Sequence, residues 1–217
     1  MLYKNKFGEV KILEPIELYD GKSIGISMSG GADSTMLCYL LANTITYQKL
    51  NIEIQPYNGY DISVPSDSAG LPAIIKYIQK KFPDVKLHWP IACVFDTNGD
   101  DIKNTYIRPL IERLYDKGVV DEVIQAVCLG PPEDVQESFI GDDYFRRPGY
   151  QLWEEVAQAK NHAPFVSVDK RCIMQCYKDF DIEGLRELTN SCTVPIGNCG
   201  ECWWCQERAW AISEVNK

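Results

Sequence analysis

The chain of 217 residues is 45% apolar and 24% charged, which is ordinary for a soluble globular protein and fits one α/β domain with a small additional unit. Its formal net charge is −9 and its Lys and Arg residues are scattered, so a polymeric nucleic acid is an unfavoured substrate. The amino terminus shows no secretory segment and no apolar run is long enough to cross a bilayer, so we expect a cytoplasmic protein without a membrane partner.

Predicted strands and helices alternate along the chain. Strands are predicted over residues 22–28, 51–55, 85–95 and 123–129. Helices are predicted over residues 36–45, 71–82, 106–115, 151–160, 172–178 and 182–188. Pro90 interrupts the third strand, and the acidic, aromatic segment 133–147 is predicted to be a long loop or lid. The alternation indicates a parallel sheet of about five strands with helices on both faces.

A glycine-rich loop, Ser27–Thr35 (SMSGGADST), follows the first of these strands, at the place where α/β folds bind ligands. Gly30 and Gly31 have no Cβ, so the backbone can turn sharply and approach a ligand closely. The start of the next helix favours a phosphate or another anion. Asp33 would repel a phosphate, so we interpret it as a helix cap or a ligand of Mg²⁺. Hydroxyl donors add to the anion site: Ser29, Ser34 and Thr35.

Two other phosphate-binding loops are excluded by their spacing. A Walker A loop requires G-x-x-x-x-G-K-S/T, but Ile16 occupies the first glycine position before Gly21–Ser23. A dinucleotide fingerprint requires G-x-G-x-x-G, which adjacent glycines do not supply. A strand-to-helix turn with an N-cap and no ligand is the remaining alternative.

The hexapeptide Ser29–Ser34 (SGGADS) resembles the S-G-G-x-D-S loop of the PP-loop, or N-type, ATP pyrophosphatases. The resemblance implies an adenine nucleotide alpha-hydrolase-like fold whose loop holds the β,γ-pyrophosphate of ATP with Mg²⁺. Enzymes of this kind attack the α-phosphorus, form an adenylated substrate and release pyrophosphate. On this basis Asp33 is expected to be catalytic, and the residues expected to bind ATP are Met28, Ser29, Gly30, Gly31, Ala32, Asp33, Ser34 and Thr35.

A cysteine cluster in the tail has the spacing C-x₆-C-x₂-C-x₂-C: Cys192, Cys199, Cys202 and Cys205. The odd total of nine cysteines argues against a disulfide framework. Four thiolates suit tetrahedral Zn²⁺, and a shell without an open position predicts a structural zinc that stabilises the tail. An iron–sulfur cluster and plain buried thiols remain alternatives. Cys172 and Cys176 share a helix face and are interpreted as core thiols, with a reactive pair as the alternative.

The same tail resembles 7-cyano-7-deazaguanine synthases. Ser191-Cys192 and Cys199–Arg208 (CGECWWCQER) match their ending S-C…C-G-x-C-x-x-C-x-x-R, and Val168–Lys170 matches their lysine-containing helix start. The likeness covers residues 22–44 and 164–210. It implies conversion of 7-carboxy-7-deazaguanine, ammonia and ATP into a nitrile: adenylation of the carboxylate, attack by ammonia to give an amide, and a second activation that dehydrates this amide.

Residue roles follow from this likeness. Lys170 is expected to be catalytic, because a lysine beside the phosphates stabilises the charge that develops there; the alternative is a solvated lysine. Arg147 and Arg208 are weaker candidates for binding substrate, and Arg208 alternatively braces the cysteine tail. Trp204, like its neighbour Trp203, is expected to pack the tail rather than to stack on a base.

Three functions are therefore kept. The first is an ATP-dependent, AMP-forming ligase acting on a small-molecule carboxylate and ammonia, expected to be a homodimer. The second is a PP-loop enzyme acting on another acceptor, by tRNA thiolation or amidation, because residues 130–150 depart from the synthase pattern. The third is a non-catalytic nucleotide-binding module with a zinc knuckle. In each, residues 1–160 form the ATP-binding core and residues 161–217 form a C-terminal cap.

Overall fold

The computed structural model describes residues 1–13, 15–61, 70–96, 103–139, 161–192 and 199–217. Its strands are β1 Leu2–Asn5, β2 Gly8–Lys11, β3 Ser23–Ser27, β4 Glu53–Asp61, β5 Lys86–Leu87, β6 Ile91–Phe95, β7 Glu122–Ile124 and β8 Asn161–His162. Its α-helices are α1 Ala32–Gln48, α2 Leu71–Lys81, α3 Arg108–Asp116, α4 Glu133–Ser138, α5 Lys170–Asp179, α6 Glu183–Glu187 and α7 Trp203–Val215. A 3₁₀ turn spans Ile16–Tyr19, and a π-helical turn spans Lys103–Ile107.

Among the described residues, six parallel strands form the central sheet, in the order β5-β4-β3-β7-β8 with β6 also beside β4. Leu87 pairs with Ile54 and Ile91 pairs with Tyr57, so β5 and β6 are two pieces of one edge strand. Pro90 lies in the interruption, as predicted, because proline has no N–H for the strand ladder. The expected parallel α/β fold is confirmed.

The strand order fixes where a ligand binds. From β3 the chain adds β4, β5 and β6 on one side of the sheet, then returns to add β7 and β8 on the other. The carboxyl ends of β3 and β7 therefore border the crevice at which the strand order reverses, where open α/β sheets take their ligands.

Apolar side chains cover both faces of the sheet. Ile24 and Ile54 belong to the main core, together with residues of α1, α2 and α5. Val123 and Tyr57 point to the other face and pack with Leu114 of α3. Helices thus lie on both faces, as the alternating pattern predicted.

An antiparallel hairpin of β1 and β2 lies outside this sheet and was not predicted. The Tyr3 hydroxyl donates to the Leu40 carbonyl of α1 at 3.0 Å. The Asn5 side-chain amide donates to the Cys172 carbonyl of α5 at 3.0 Å. The hairpin therefore ties together the two helices that border the glycine loop.

Several element boundaries differ from the sequence predictions. The first helix begins at Ala32 rather than at residue 36, so half of the glycine loop forms its first turn. The segment 133–147 was predicted to be a loop, but residues 133–138 form α4. Helix α7 was not predicted in the tail. The predicted helix 151–160 lies outside the described residues, and the division at residue 160 stays a prediction.

Among the described residues, no helix has both the length and the apolar character that crossing a bilayer requires.

The packing of the start of α2 against Leu188 can be tested by substituting Gly70. A Cβ at Gly70 would lie 2.3 Å from the Leu188 carbonyl oxygen, a backbone atom that cannot move alone. Gly70→Ala is expected to lower the free energy of unfolding by about 1–3 kcal/mol. Gly184→Ala, where a Cβ meets nothing within 4 Å, should raise it by roughly 0.5–1 kcal/mol because alanine favours the helix. Urea denaturation measures both, and an unchanged Gly70→Ala variant would contradict this packing.

Candidate functional site

A cavity of about 420 Å³ opens at the carboxyl ends of β3, β4 and β7. Lys170 from α5 and Trp204 from α7 complete its walls. The backbone segments that line it are the loop after β3, Asn58–Gly59 of β4, residues 125–127 after β7, and residues 190–192. The cavity is therefore built from the crevice that the strand order predicts and from the C-terminal part of the chain.

The glycine loop takes a conformation that requires glycine at one position. Gly30 has φ +81°, in the left-handed region that other residues rarely adopt. The Ser29 hydroxyl accepts from the Gly31 N–H at 3.2 Å, and the Ser34 hydroxyl donates to the Gly31 carbonyl at 3.3 Å. The Asn190 N–H donates to the Gly30 carbonyl at 3.0 Å, so the C-terminal segment holds the loop in place.

The predicted ATP-binding residues divide into two groups. Five of them line the cavity: Ser29, Gly31, Ala32, Asp33 and Ser34. The other three, Met28, Gly30 and Thr35, are buried and absent from the lining, so they support the loop from behind. Helix α1 begins with Gly31 as its N-cap and has no side-chain cap among the described residues. The interpretation of Asp33 as a helix cap is therefore wrong, and the helix start remains open to an anion.

Lys170 forms a buried ion-pair cluster at the cavity wall. Its Nζ donates to Asp33 Oδ2 and lies 3.4 Å from Glu207 Oε2. The Lys170 side chain is only 4% exposed, so the alternative of a solvated lysine is wrong. Asp169 sets the start of α5 as its N-cap, accepting the Arg171 N–H at 2.9 Å. A buried ammonium persists only when carboxylates neutralise it, and here two do so.

Asp33 keeps one oxygen for a ligand. Oδ1 is buried and has no hydrogen-bond partner among the described residues, while Oδ2 takes Lys170. The buried thiol of Cys128 also lies 3.9 Å from Oδ2, a contact across 95 positions that no sequence motif marks. A hard cation such as Mg²⁺ binds carboxylate oxygen, so an unpartnered Oδ1 on a residue that lines the cavity fits its chemistry.

Tyr177 supports the first turn of α1 from below. Its hydroxyl donates to the Ala32 carbonyl at 2.8 Å. Burial above all, and also the charge of Asp33, raise the pKa of Tyr177 well above its usual value, so the phenol stays protonated and keeps donating.

The four tail cysteines meet at one point, as their spacing predicted. Their Sγ atoms all lie within 4.8 Å of one another, so they can hold a metal ion. Gly200, with φ +77°, turns the chain between Cys199 and Cys202. The N–H groups of Cys202 and Glu201 donate to Cys199 Sγ at 3.2 Å and 3.4 Å. These bonds lower the pKa of the Cys199 thiol to about 6, which favours the thiolate form that metals bind.

The cysteine cluster adjoins the cavity rather than standing apart from it, since Cys192 and Trp204 both line the cavity wall. Arg208 follows three residues after Cys205 and donates to the carbonyls of Thr189 and Arg186, each at 2.9 Å. These contacts show that Arg208 holds the backbone of the segment before Asn190. Binding of substrate by Arg208 stays a prediction. Arg147 lies outside the described residues.

No known family model matches the chain, and no curated protein matches it in sequence. Among solved structures, it is similar to the U34-tRNA thiolase NcsA from Methanococcus maripaludis with its 4Fe-4S cluster. The TM-score is 0.52 and the identity 11%, and the match covers 91% of this chain and 72% of that chain. At this identity the likeness shows the fold alone.

The cysteine geometry predicts about one metal ion per chain. Cys202→Ser should abolish metal binding and lower the melting temperature, because coordination stabilises the turn that begins α7. Cys93→Ser, at a partly exposed cysteine of β6, is the matched control and should keep both. Elemental analysis of the purified proteins, together with thermal denaturation, measures these effects. The site would be contradicted if wild-type protein is purified without metal and its melting temperature equals that of Cys202→Ser.

Proposed function

We propose that this protein is an ATP-dependent, AMP-forming enzyme of the PP-loop type that adenylates its acceptor. The observation that carries the proposal is the contact between Lys170 and Asp33 inside the cavity, beside the S-G-G-x-D-S loop. Three independent features meet there: a loop suited to phosphate, an open helix start and a buried ammonium group. A nucleotide-binding module without catalysis has no need to bury a lysine at this point.

The proposed chemistry uses the loop to hold the β,γ-pyrophosphate of ATP. A carboxylate oxygen of the acceptor attacks the α-phosphorus, the bond from this phosphorus to the bridging oxygen breaks, and pyrophosphate leaves. Lys170 stabilises the negative charge that builds up on the phosphates. Asp33 would hold Mg²⁺ through its free Oδ1, and that ion would neutralise phosphate charge.

We propose Zn²⁺ as the ion of the cysteine cluster. A tetrahedral Zn²⁺ with Zn–S bonds of about 2.3 Å holds its sulfurs roughly 3.8 Å apart. The four Sγ atoms lie within 4.8 Å of one another, close to this spacing. Thiolates of a 4Fe-4S cluster bind different iron atoms and therefore stand farther apart. With all four positions filled by sulfur, such a zinc ion would organise structure and not activate water.

The favoured acceptor is a carboxylate of the 7-carboxy-7-deazaguanine type. It is supported by the likeness of the tail to 7-cyano-7-deazaguanine synthases and by the amide side chains of Asn58 and Gln125 at the cavity, which can pair with the edge of a heterocycle. Ammonia would attack the acyl adenylate and expel AMP, giving an amide. A second ATP would activate the amide oxygen, and loss of AMP with the amide protons leaves the nitrile.

A second candidate is thiolation of a tRNA uridine. The observation that favours it is the fold shared with a U34-tRNA thiolase that carries a 4Fe-4S cluster, combined with cysteines that here adjoin the cavity. The net charge of −9 counts against it, because tRNA binding draws on basic surface.

Nucleotide chemistry is tested with ATP labelled at the α-phosphate, separating AMP from ADP. With ammonium and 7-carboxy-7-deazaguanine supplied, wild-type protein should release AMP and pyrophosphate. Asp33→Asn and Lys170→Met should each lower kcat by at least about 100-fold, because the first removes the proposed ligand of Mg²⁺ and the second removes positive charge beside the phosphates. Lys86→Met, on the exposed edge of the sheet, should retain full activity. ADP as the sole product would exclude the proposed mechanism.

Acceptor choice is tested by supplying the candidates in turn. We expect 7-carboxy-7-deazaguanine with ammonium to raise the rate of AMP release at least tenfold. The deazaguanine should also be consumed, because adenylation requires a bound acceptor that attacks the α-phosphorus. Unmodified tRNA with a sulfide source should give no stimulation. Stimulation by tRNA, together with iron and labile sulfide in the purified protein, would instead establish the second candidate.

A further inference from the structure

Glu207 is a buried acidic residue that the proposed chemistry does not use. Its side chain is 0% exposed, and its Oε2 lies 3.4 Å from Lys170 Nζ. Carboxylates are rarely buried without a cation, and the cation here is the lysine that reaches the cavity. The contact joins α7, which carries Glu207, to α5, which carries Lys170.

The position of Glu207 in α7 links it to the cysteine cluster. Cys205 lies two residues earlier in the first turn of the helix, and Cys202 is the N-cap. A metal ion bound by these cysteines would fix where α7 begins and how it is rotated. That rotation decides whether Glu207 points at Lys170.

The balance of charges around Lys170 explains what Glu207 would do when a cation and phosphate are bound. Lys170 is shared between Asp33 and Glu207, two negative charges for one positive charge. When a divalent cation occupies the free oxygen of Asp33, Lys170 can turn toward phosphate while Glu207 still neutralises and anchors it. Without Glu207, the ammonium group would lose this counter-charge when Asp33 is engaged by the cation.

We propose that Glu207 is a positioning residue that couples occupancy of the four-cysteine site to the placement of Lys170 in the cavity. Arg208, the next residue, acts in parallel on the other wall, because it holds Thr189 just before the segment that binds the Gly30 carbonyl. Loss of metal therefore disturbs the cavity through α7. Only the nucleotide readout below rests on the proposed function.

The first test reads the placement of Lys170 directly, without nucleotide. The full-length, metal-loaded protein is treated with an amine-acetylating reagent, and acetylation of Lys170 is followed by peptide mass spectrometry with exposed Lys86 as the internal reference. Glu207→Ala should speed acetylation of Lys170 at least about tenfold, since its buried partner is gone. Glu207→Gln, which keeps an acceptor oxygen but no charge, should speed it roughly threefold. Glu214→Gln, on the same helix at the surface, should change nothing.

The second test measures the coupling. Chelation of the metal from wild-type protein should speed acetylation of Lys170 about as much as Glu207→Ala does. Chelation from the Glu207→Ala protein should add little, because the link is already broken. The proposal is overturned if chelation speeds the acetylation of Lys170 equally in wild-type and Glu207→Ala proteins. It is also overturned if Glu207→Gln leaves the acetylation rate of Lys170 unchanged. The glutamine variant decides the matter if the alanine variant does not fold.

A third readout separates this inference from the proposed function. In the AMP-release assay, Glu207→Gln should lower kcat at least about fivefold with a smaller change in KM for ATP, whereas Glu214→Gln should match wild type. Wild-type protein that releases no AMP refutes the proposed function, while the acetylation result still decides whether Glu207 positions Lys170. If wild-type protein is active and Glu207→Gln has the same kcat, the positioning role of Glu207 is refuted.

Discussion

The buried ion pair between Lys170 and Asp33 is the interaction on which the arrangement of the site depends. An ammonium group with 4% exposure requires a counter-charge, and Asp33 meets this need only if α1 begins at Ala32 and α5 begins at Lys170. Both helix starts are in turn set by local features, the left-handed Gly30 and the Asp169 cap. The requirement to neutralise one buried charge thus fixes the relative position of the glycine loop and the C-terminal helices.

Around this pair, the C-terminal part of the chain forms one wall of the cavity. The Asn190 N–H holds the Gly30 carbonyl, and Arg208 holds the residues just before Asn190. The cysteine cluster adjoins the same wall through Cys192. A metal ion in that cluster would therefore act on the cavity as well as on the tail. Coordination of a metal would add rigidity to this wall.

Features set by short-range patterns could be predicted from the sequence. The parallel sheet, the glycine loop, the break at Pro90 and the convergence of four cysteines all follow from residues near one another in the chain. Glu207 could not be found in this way, because a glutamate between polar neighbours in the run Gln206–Arg208 is usually exposed, and its partner lies on another helix. Likewise, nothing local marks Cys128 as a neighbour of Asp33. The start of α1 was placed too late because Asp33–Thr35, although polar, form its first turn.

The residues that meet at the site are far apart in the sequence. Asp33 and Lys170 are 137 positions apart, and the hairpin residue Asn5 reaches Cys172 across 167 positions. A nascent chain thus exposes the glycine-loop segment before Lys170, Glu207 and Asn190 have been added. Until then Asp33 lacks its ammonium partner and the Gly30 carbonyl lacks the Asn190 N–H. Contacts between such distant segments also favour slow folding, with the Lys170–Asp33 pair among the last contacts to form.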